Sequence, residues 1–258
     1  MEQGTGEAGG RLRIGLPKGR MQEGVFRLLT DAGIAVTPTA RGYRPRVPLP
    51  GVEAKLLKPQ NLIGMLAAGS RDTGFAGADW VAEMGADLAE VLDTGLDPVR
   101  LVAAAPRTLL VDGRLPRRPL RVASEYERLT RDWIRRAGIE ARFVRSWGAT
   151  EVFPPEDADL IVDNSATGST LEANGLAEVD VLMESSTRLY ASPAAMADPA
   201  RRGRISEIAL LLRSVLDARG RVMVEVNAAP DRLAGIVAIL PAMRKPTVSP
   251  LYGEDGYA

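Results

Sequence analysis

Short apolar runs alternate along the chain with segments of helical period. Leu12-Arg13-Ile14-Gly15-Leu16 is an apolar run broken by Pro17-Lys18-Gly19-Arg20. Met21, Val25, Leu28 and Leu29 then recur at i, i+4, i+7 and i+8, one face of a helix, and Gly33 stands where a helix C-terminal glycine belongs. The same grammar returns near residue 120. Leu120 to Ala123 reads as a strand, and Ser124-Glu125-Tyr126-Glu127 has the form of a capping box. Tyr126, Leu129 and Trp133 share a helical face, Gly138 ends it, and Arg142 to Val144 is extended again. Each half thus opens with a β-α-β pattern, which predicts an α/β protein with a parallel sheet flanked by helices.

Two further apolar runs join the halves. Residues 99–104 lead into the second half and 181–191 return from it. Two α/β lobes linked by two strands predict a hinged cleft, a usual place for ligands. The expected division is 11–98 with 190–219 as lobe I, 99–189 as lobe II, 220–258 as a separate segment and 1–10 as a disordered tail. Residues 203–219 pattern as a long helix, with Ile205, Ile208, Leu212 and Val215 on one side. Beyond it, 222–226 reads as a strand, 230–240 as a helix and 247–251 as a strand. Gly253-Glu254-Asp255-Gly256 reads as a hairpin turn, with Tyr257-Ala258 opening another strand.

Composition narrows the chemistry. The 258 residues carry 33 basic and 33 acidic side chains, a balance that argues against coating nucleic acid or an anionic membrane. The acidic, Gly-rich start lacks the apolar core of a signal peptide, and no run approaches the ~20 apolar residues of a bilayer span. A cytoplasmic protein is expected. There is no cysteine, which excludes disulfides, thiolate nucleophiles and cysteine metal sites. There is no histidine, which removes the Ser-His-Asp triad, HExxH zinc and the usual general base near neutral pH. Any metal must sit on oxygen ligands, which suits Mg²⁺. Carboxylates, Arg, Lys, hydroxyls and backbone amides remain.

The strongest local signal is the run from Asp159 to Leu171. An apolar strand ends in Asp163, and a small-residue turn, Ser165-Ala166-Thr167-Gly168-Ser169-Thr170, opens onto a helix. Such a turn exposes amides at a positive helix end and can cradle a phosphate, or it is a Ser/Thr-capped β-α turn. Lys18, Gly19 and Arg20 form a cationic turn at a strand C-terminal end, where open α/β sheets bind ligands. Arg41, Arg44, Arg46, Lys55 and Lys58 read either as a polyphosphate rim or as a solvated face. Residues 72–79 are a Gly-punctuated strand-to-helix passage in which Asp79 binds a ligand or caps the next helix.

Taken together and in this order, these segments resemble the ATP phosphoribosyltransferases of histidine biosynthesis. The resemblance runs from Leu12 to the end. It rests on the turn at 17–20, residues 72–79, Val91-Leu92-Asp93-Thr94-Gly95, Gly148-Ala149-Thr150-Glu151 and, above all, 159–176. It implies a two-lobed fold of the periplasmic-binding-protein type in which ATP and 5-phosphoribosyl 1-pyrophosphate (PRPP) meet in the cleft with Mg²⁺. By the same resemblance, Asp163 takes the ribose hydroxyls and the loop Ser165 to Thr170 takes the 5′-phosphate. Lys18, Gly19, Arg20 and Asp79 serve ATP. Lys18, Arg20, Lys58, Asp93 and Glu151 act on the reacting groups or their phosphates. The chain departs from the family where Tyr126-Glu127 replaces a usual Tyr-Pro, and where Asn164-Ser165 replaces more apolar residues. Residues 222–258 resemble the first half of a ferredoxin-like (ACT-type) regulatory domain, to be completed by further chain or another subunit. A homo-oligomer, dimer or hexamer, and a separate regulatory subunit are the implied partners. Two other readings use the same residues: a non-catalytic two-lobed binding module, and a phosphoribosyltransferase with another acceptor base.

Overall fold

The computed structural model describes residues 11–39, 42–239 and 247–250. Its elements run β1 (Leu12–Pro17), α1 (Met21–Asp31), β2 (Val52–Leu57), α2 (Pro59–Ala67), β3 (Thr73–Gly77), α3 (Ala78–Met84), β4 (Ala89–Pro106) and β5 (Leu120–Ser124). There follow α4 (Glu127–Ala137), β6 (Ala141–Arg145), β7 (Leu160–Ser165), α5 (Ser169–Ala173), β8 (Leu176–Ala191), α6 (Pro193–Ala197), α7 (Pro199–Arg219) and α8 (Leu233–Ile239). The chain divides into two compact units, residues 1–216 and 217–258.

One sheet of order β2-β1-β3-β8-β4-β7-β5-β6 runs through the first unit. Its flanks are parallel, β1 with β2 and β3, and β5 with β6 and β7. At its centre β4 and β8 are long, antiparallel to each other and to the strands beside them. The predicted joining strands are therefore parts of much longer ones that belong to both lobes, the two-lobed α/β architecture expected from the sequence.

Each lobe has its own core because the strand pleat sorts residues by face. Leu12, Ile14 and Leu16 pack against Val25, Leu28 and Leu29 of α1 and against Ile205, Ile208 and Leu212 of α7. On the other face of β1, α2 approaches so closely that a Cβ on Gly15 would sit 2.0 Å from Leu62 Cδ1. In the second lobe Leu101, Val122, Leu160 and Val162 enclose Trp133 of α4.

The Ser124–Glu127 capping box does not form. The α4 amides of Arg128 and Leu129 donate instead to Glu83 of α3, both at 3.0 Å. Glu127 pairs with Arg131 and Arg145. Ser124, fully buried, accepts from the Tyr126 amide at 2.9 Å and donates to the Val162 carbonyl at 2.6 Å, fastening β5 to β7. A carboxylate from another element has displaced the local cap.

The second unit corrects another expectation. Residues 222–226 form no strand, and Val222 and Met223 are each 87% exposed. A strand needs a hydrogen-bonded neighbour, and none pairs with this run among the described residues. The expected helix is present as α8. Residues 247–250 are not in a strand, and Leu251, the turn at 253–256 and residues 257–258 lie outside the described residues.

Asp72, fully buried before β3, accepts from Arg13 N at 2.7 Å, Nε at 3.0 Å and Nη2 at 2.7 Å, and from Arg201 Nη1 of α7 at 3.2 Å. Burial alone would raise this carboxyl. The hydrogen bonds from Arg13 and the charges of Arg13 and Arg201 outweigh it and hold the group below its ordinary value. Its stabilisation is present above the unfolded carboxylate range and is lost as pH falls through the lowered value. Asp72→Ala removes the carboxylate that pairs with Arg13 and one of the two beside Arg201, and urea denaturation at pH 7 is expected to show a loss of about 3–5 kcal/mol. The loss should shrink as the titration is repeated towards pH 3.

Candidate functional site

The C-terminal ends of β1 and β7 carry the two turns that the sequence singles out. After β1, Pro17 gives way to Lys18-Gly19-Arg20, with Gly19 at φ 93, a left-handed conformation that glycine adopts freely. After β7, Ala166 and Thr167 lead to Gly168 at φ 82 and into α5.

Two cavities lie between these turns. The larger, about 360 Å³, is lined by Asp163, the turn from Ser165 to Thr170, Glu125, Thr150 and Glu151, with Arg20 reaching it from the first turn. The smaller, about 140 Å³, is lined by Lys18, Arg20, Asp79, Trp80, Asp97 and the hydroxyl run Ser185-Ser186-Thr187. Arg20 and Asn164 line both.

The larger cavity holds an excess of carboxylates. Burial raises Asp163 to about 6, and the charges of Glu151 and Glu125 push the same way. The Asn164 amide, donating to Asp163 Oδ1 at 2.7 Å, and the Thr150 hydroxyl only partly offset this. The first-turn amides of α5 also border the cavity, and such amides have no partner within their own helix.

The smaller cavity is ordered by one hydrogen-bonded chain. Asp79, buried at the start of α3, accepts from Ser185 Oγ at 2.8 Å and from Tyr126 Oη at 2.6 Å. Tyr126 Oη accepts in turn from Asn164 Nδ2 at 3.1 Å. Burial, with Asp79 beside it, pushes the Tyr126 phenol well above its ordinary value, so it stays protonated and donates. Trp80 stacks at a tilt on Tyr126, with ring centroids 4.7 Å apart. Asp97, at φ 47, accepts from Thr187 Oγ1 at 2.9 Å. Lys18 Nζ lies 4.8 Å above the Tyr43 ring.

The residues picked from the sequence therefore separate. Asp163, Ser165, Ala166, Thr167, Gly168, Ser169, Thr170 and Glu151 line the larger cavity, and Lys18 and Asp79 the smaller. Arg20 serves both, and Gly19 supplies the turn. Lys58, Arg44, Arg46, Lys55 and Asp93 line neither cavity. Lys58 is exposed at the N-cap of α2, just before Pro59 on the wall of the smaller one. Asp93 accepts from Ser186 Oγ at 2.6 Å and pairs with Arg188 at 3.2 Å. Arg41 lies outside the described residues. Sequence reasoning missed Asn164 and Ser185 as wall residues, and Tyr126 as the group behind the wall that joins Asn164 to Asp79. The signal for Ser185 was available: Ser185-Ser186-Thr187 are three consecutive hydroxyls. Tyr126 fits a helical core face and hides its hydroxyl's role.

A family model described as ATP phosphoribosyltransferase matches residues 58–214, and the same family's C-terminal domain model matches 218–258. The chain belongs to the ATP phosphoribosyltransferase family. The ATP phosphoribosyltransferase of Pelotomaculum thermopropionicum is 38% identical over 253 residues, covering 96% of this chain and 88% of that one. That of Chlorobium phaeobacteroides is 37% identical, covering 96% and 86%. Among solved structures, the ATP phosphoribosyl transferase (HisG:HisZ) complex from Thermotoga maritima shares the fold, with a TM-score of 0.70 and 24% identity over 80% of this chain and 98% of that one.

As an ATP phosphoribosyltransferase, the chain is a transferase of the first step of histidine biosynthesis. Its cleft is thus the place to look for two phosphorylated substrates, and burial holds the Asp163 carboxyl there above its ordinary value. Because the folded value of Asp163, about 6, lies above the usual 3.8, the fold binds an extra proton between them and loses stability as pH rises through that window. Asp163→Asn is expected to raise stability at pH 8 by about 1–2 kcal/mol, partial exposure discounting the full shift. Thermal melts at pH 4 and pH 8 check this, the difference vanishing at the lower pH.

Proposed function

We propose that the larger cavity receives PRPP and the smaller one the adenine end of ATP, with Arg20 at their junction. Asp163 takes the ribose hydroxyls, and the turn from Ser165 to Thr170 takes the 5′-phosphate. Lys18, Arg20 and Lys58 face pyrophosphate or the ATP phosphates, Glu151 orients the sugar, and Asp93 holds Ser186 on the wall beside the base. In this reading the adenine N1 lone pair bonds to ribosyl C1 as the C1–O bond to pyrophosphate breaks, with the electron pair leaving on pyrophosphate. The observation that carries it is the meeting, in one cavity, of a strand-end carboxylate and a hydroxyl-rich turn at a helix start.

The absence of histidine suits this chemistry. Bond formation at N1 removes no proton, so positioning and charge stabilisation carry the reaction. Holding the substrates in line supplies on the order of 7–11 kcal/mol at best, and fixed cations stabilise the departing pyrophosphate.

Mg²⁺ fits the site through its substrate. Among the described residues, no group of three or more acidic side chains is disposed to hold a metal. Asp163 and Glu151 line the same cavity as Arg20, and these carboxylates would hold the ion together with phosphate oxygens. When bound, Mg²⁺ neutralises pyrophosphate charge. The same reading makes the enzyme a cytoplasmic homo-oligomer, dimer or hexamer, open to a separate regulatory subunit. No helix among the described residues is long and apolar enough to cross a membrane.

Formation of phosphoribosyl-ATP from ATP and PRPP with Mg²⁺, followed by absorbance, tests the assignment. Arg20→Met is expected to lower kcat/KM by about a hundredfold or more, in the range seen when one transition-state donor is removed. Asp163→Asn should raise the KM for PRPP and abolish a rise in kcat/KM centred near pH 6. Wild-type turnover with both variants unimpaired would place the substrates elsewhere.

A further inference from the structure

Asn164, like Arg20, lines both cavities. It follows Asp163 on β7, and strand alternation turns the two side chains to opposite faces. Asp163 lines the larger cavity, whereas the Asn164 carboxamide reaches Tyr126 while lining both. The backbone N–H of Asn164 donates to Asp163 Oδ1 at 2.7 Å.

The direction of the chain of bonds fixes how Asn164 sits. The phenol of Tyr126 has one proton and gives it to Asp79 at 2.6 Å, so toward Asn164 it can only accept. The amide nitrogen therefore faces Tyr126, at 3.1 Å. The carboxamide oxygen is turned away and accepts no hydrogen bond among the described residues. Asp79 is held on its other oxygen by Ser185. Asn164 and Tyr126 thus form a bonded path from the end of β7 to the carboxylate in the smaller cavity. These groups are buried or half-buried, where a hydrogen bond is strong and its loss is felt.

We propose that Asn164 is a positioning residue that couples occupancy of the two cavities, so that a phosphorylated sugar in the larger one sets Asp79 and Tyr126 for the nucleotide in the smaller one. This rests on the substrate placement proposed above. An apolar side chain at position 164 has no donor for Tyr126.

Calorimetric titration of ATP, with and without saturating ribose 5-phosphate, tests it, because ribose 5-phosphate has no pyrophosphate to lose and no turnover occurs. In the wild-type enzyme the sugar phosphate is expected to change the ATP Kd by about fivefold or more, the lower range of measured coupling between sites. Asn164→Leu should bring that ratio close to one. Tyr126→Phe, which keeps the ring against Trp80, should do the same, and the double variant should lose nothing further. A wild-type ratio of one with both ligands bound, or a wild-type ratio retained by Asn164→Leu, overturns the coupling and leaves the substrate placement standing. Failure of either ligand to bind the wild-type protein overturns the placement and the coupling with it.

Discussion

The antiparallel pairing of β4 with β8 is the constraint on which the rest depends. Both strands belong to both lobes, so their ladder sets how the end of β1 faces the end of β7. The ladder is not regular. Its register shifts between Glu90 and Leu92, and again from Asp93 to Leu96 and from Leu96 to Val99. Bulges of this kind bend and re-aim a strand next to a site. Here they coincide with Gly95 and Asp97 in left-handed backbone and with the hydroxyl run of β8 at the wall of the smaller cavity. The irregular stretch therefore lies where the cleft is built.

Contacts across the cleft reinforce that ladder. Glu83 of α3 caps the start of α4, and Trp80 packs against the apolar clusters of both lobes. Asp79, one residue before Trp80, reaches Tyr126 and through it Asn164. The single helix α3 thus supplies a cap, an apolar plug and a carboxylate to the other lobe.

Two carboxylates, Asp72 and Asp163, show how the fold separates structural work from ligand work. Asp72 is enclosed by Arg13 and Arg201 and is held below its ordinary value. Asp163 faces Glu151 and Glu125 and is raised. Burial acts on both in the same direction, so the neighbouring charges decide the outcome. A carboxylate satisfied within the chain stabilises it, whereas one placed among like charges is a group arranged for a cation or hydroxyls yet to arrive.

Several features were legible along the chain alone. The spacing of Met21, Val25, Leu28 and Leu29 located α1, and Leu12, Ile14 and Leu16 located β1, because local period reports which face is buried. The turn at 165–170 was recognisable because its small and hydroxyl residues are contiguous. Other features required the folded chain. Ser124 and Glu127 had the form of a cap, but Glu83, distant in sequence, took the α4 amides. Residues 222–226 read as a strand but find no hydrogen-bonded neighbour among the described residues. Tyr126 read as core, and only the approach of Asp79 and Asn164 gave its hydroxyl two partners. Lys58 and Asp93 carried plausible charges yet line neither cavity. The sequence by itself determined the β-α-β openings of the two halves, the two-lobed α/β class and the chemistry open to a chain without histidine or cysteine, since these depend on residue type and short-range spacing. Which charges meet, which are neutralised and which wall each hydroxyl serves was decided by the tertiary structure alone, because those interactions join residues tens of positions apart.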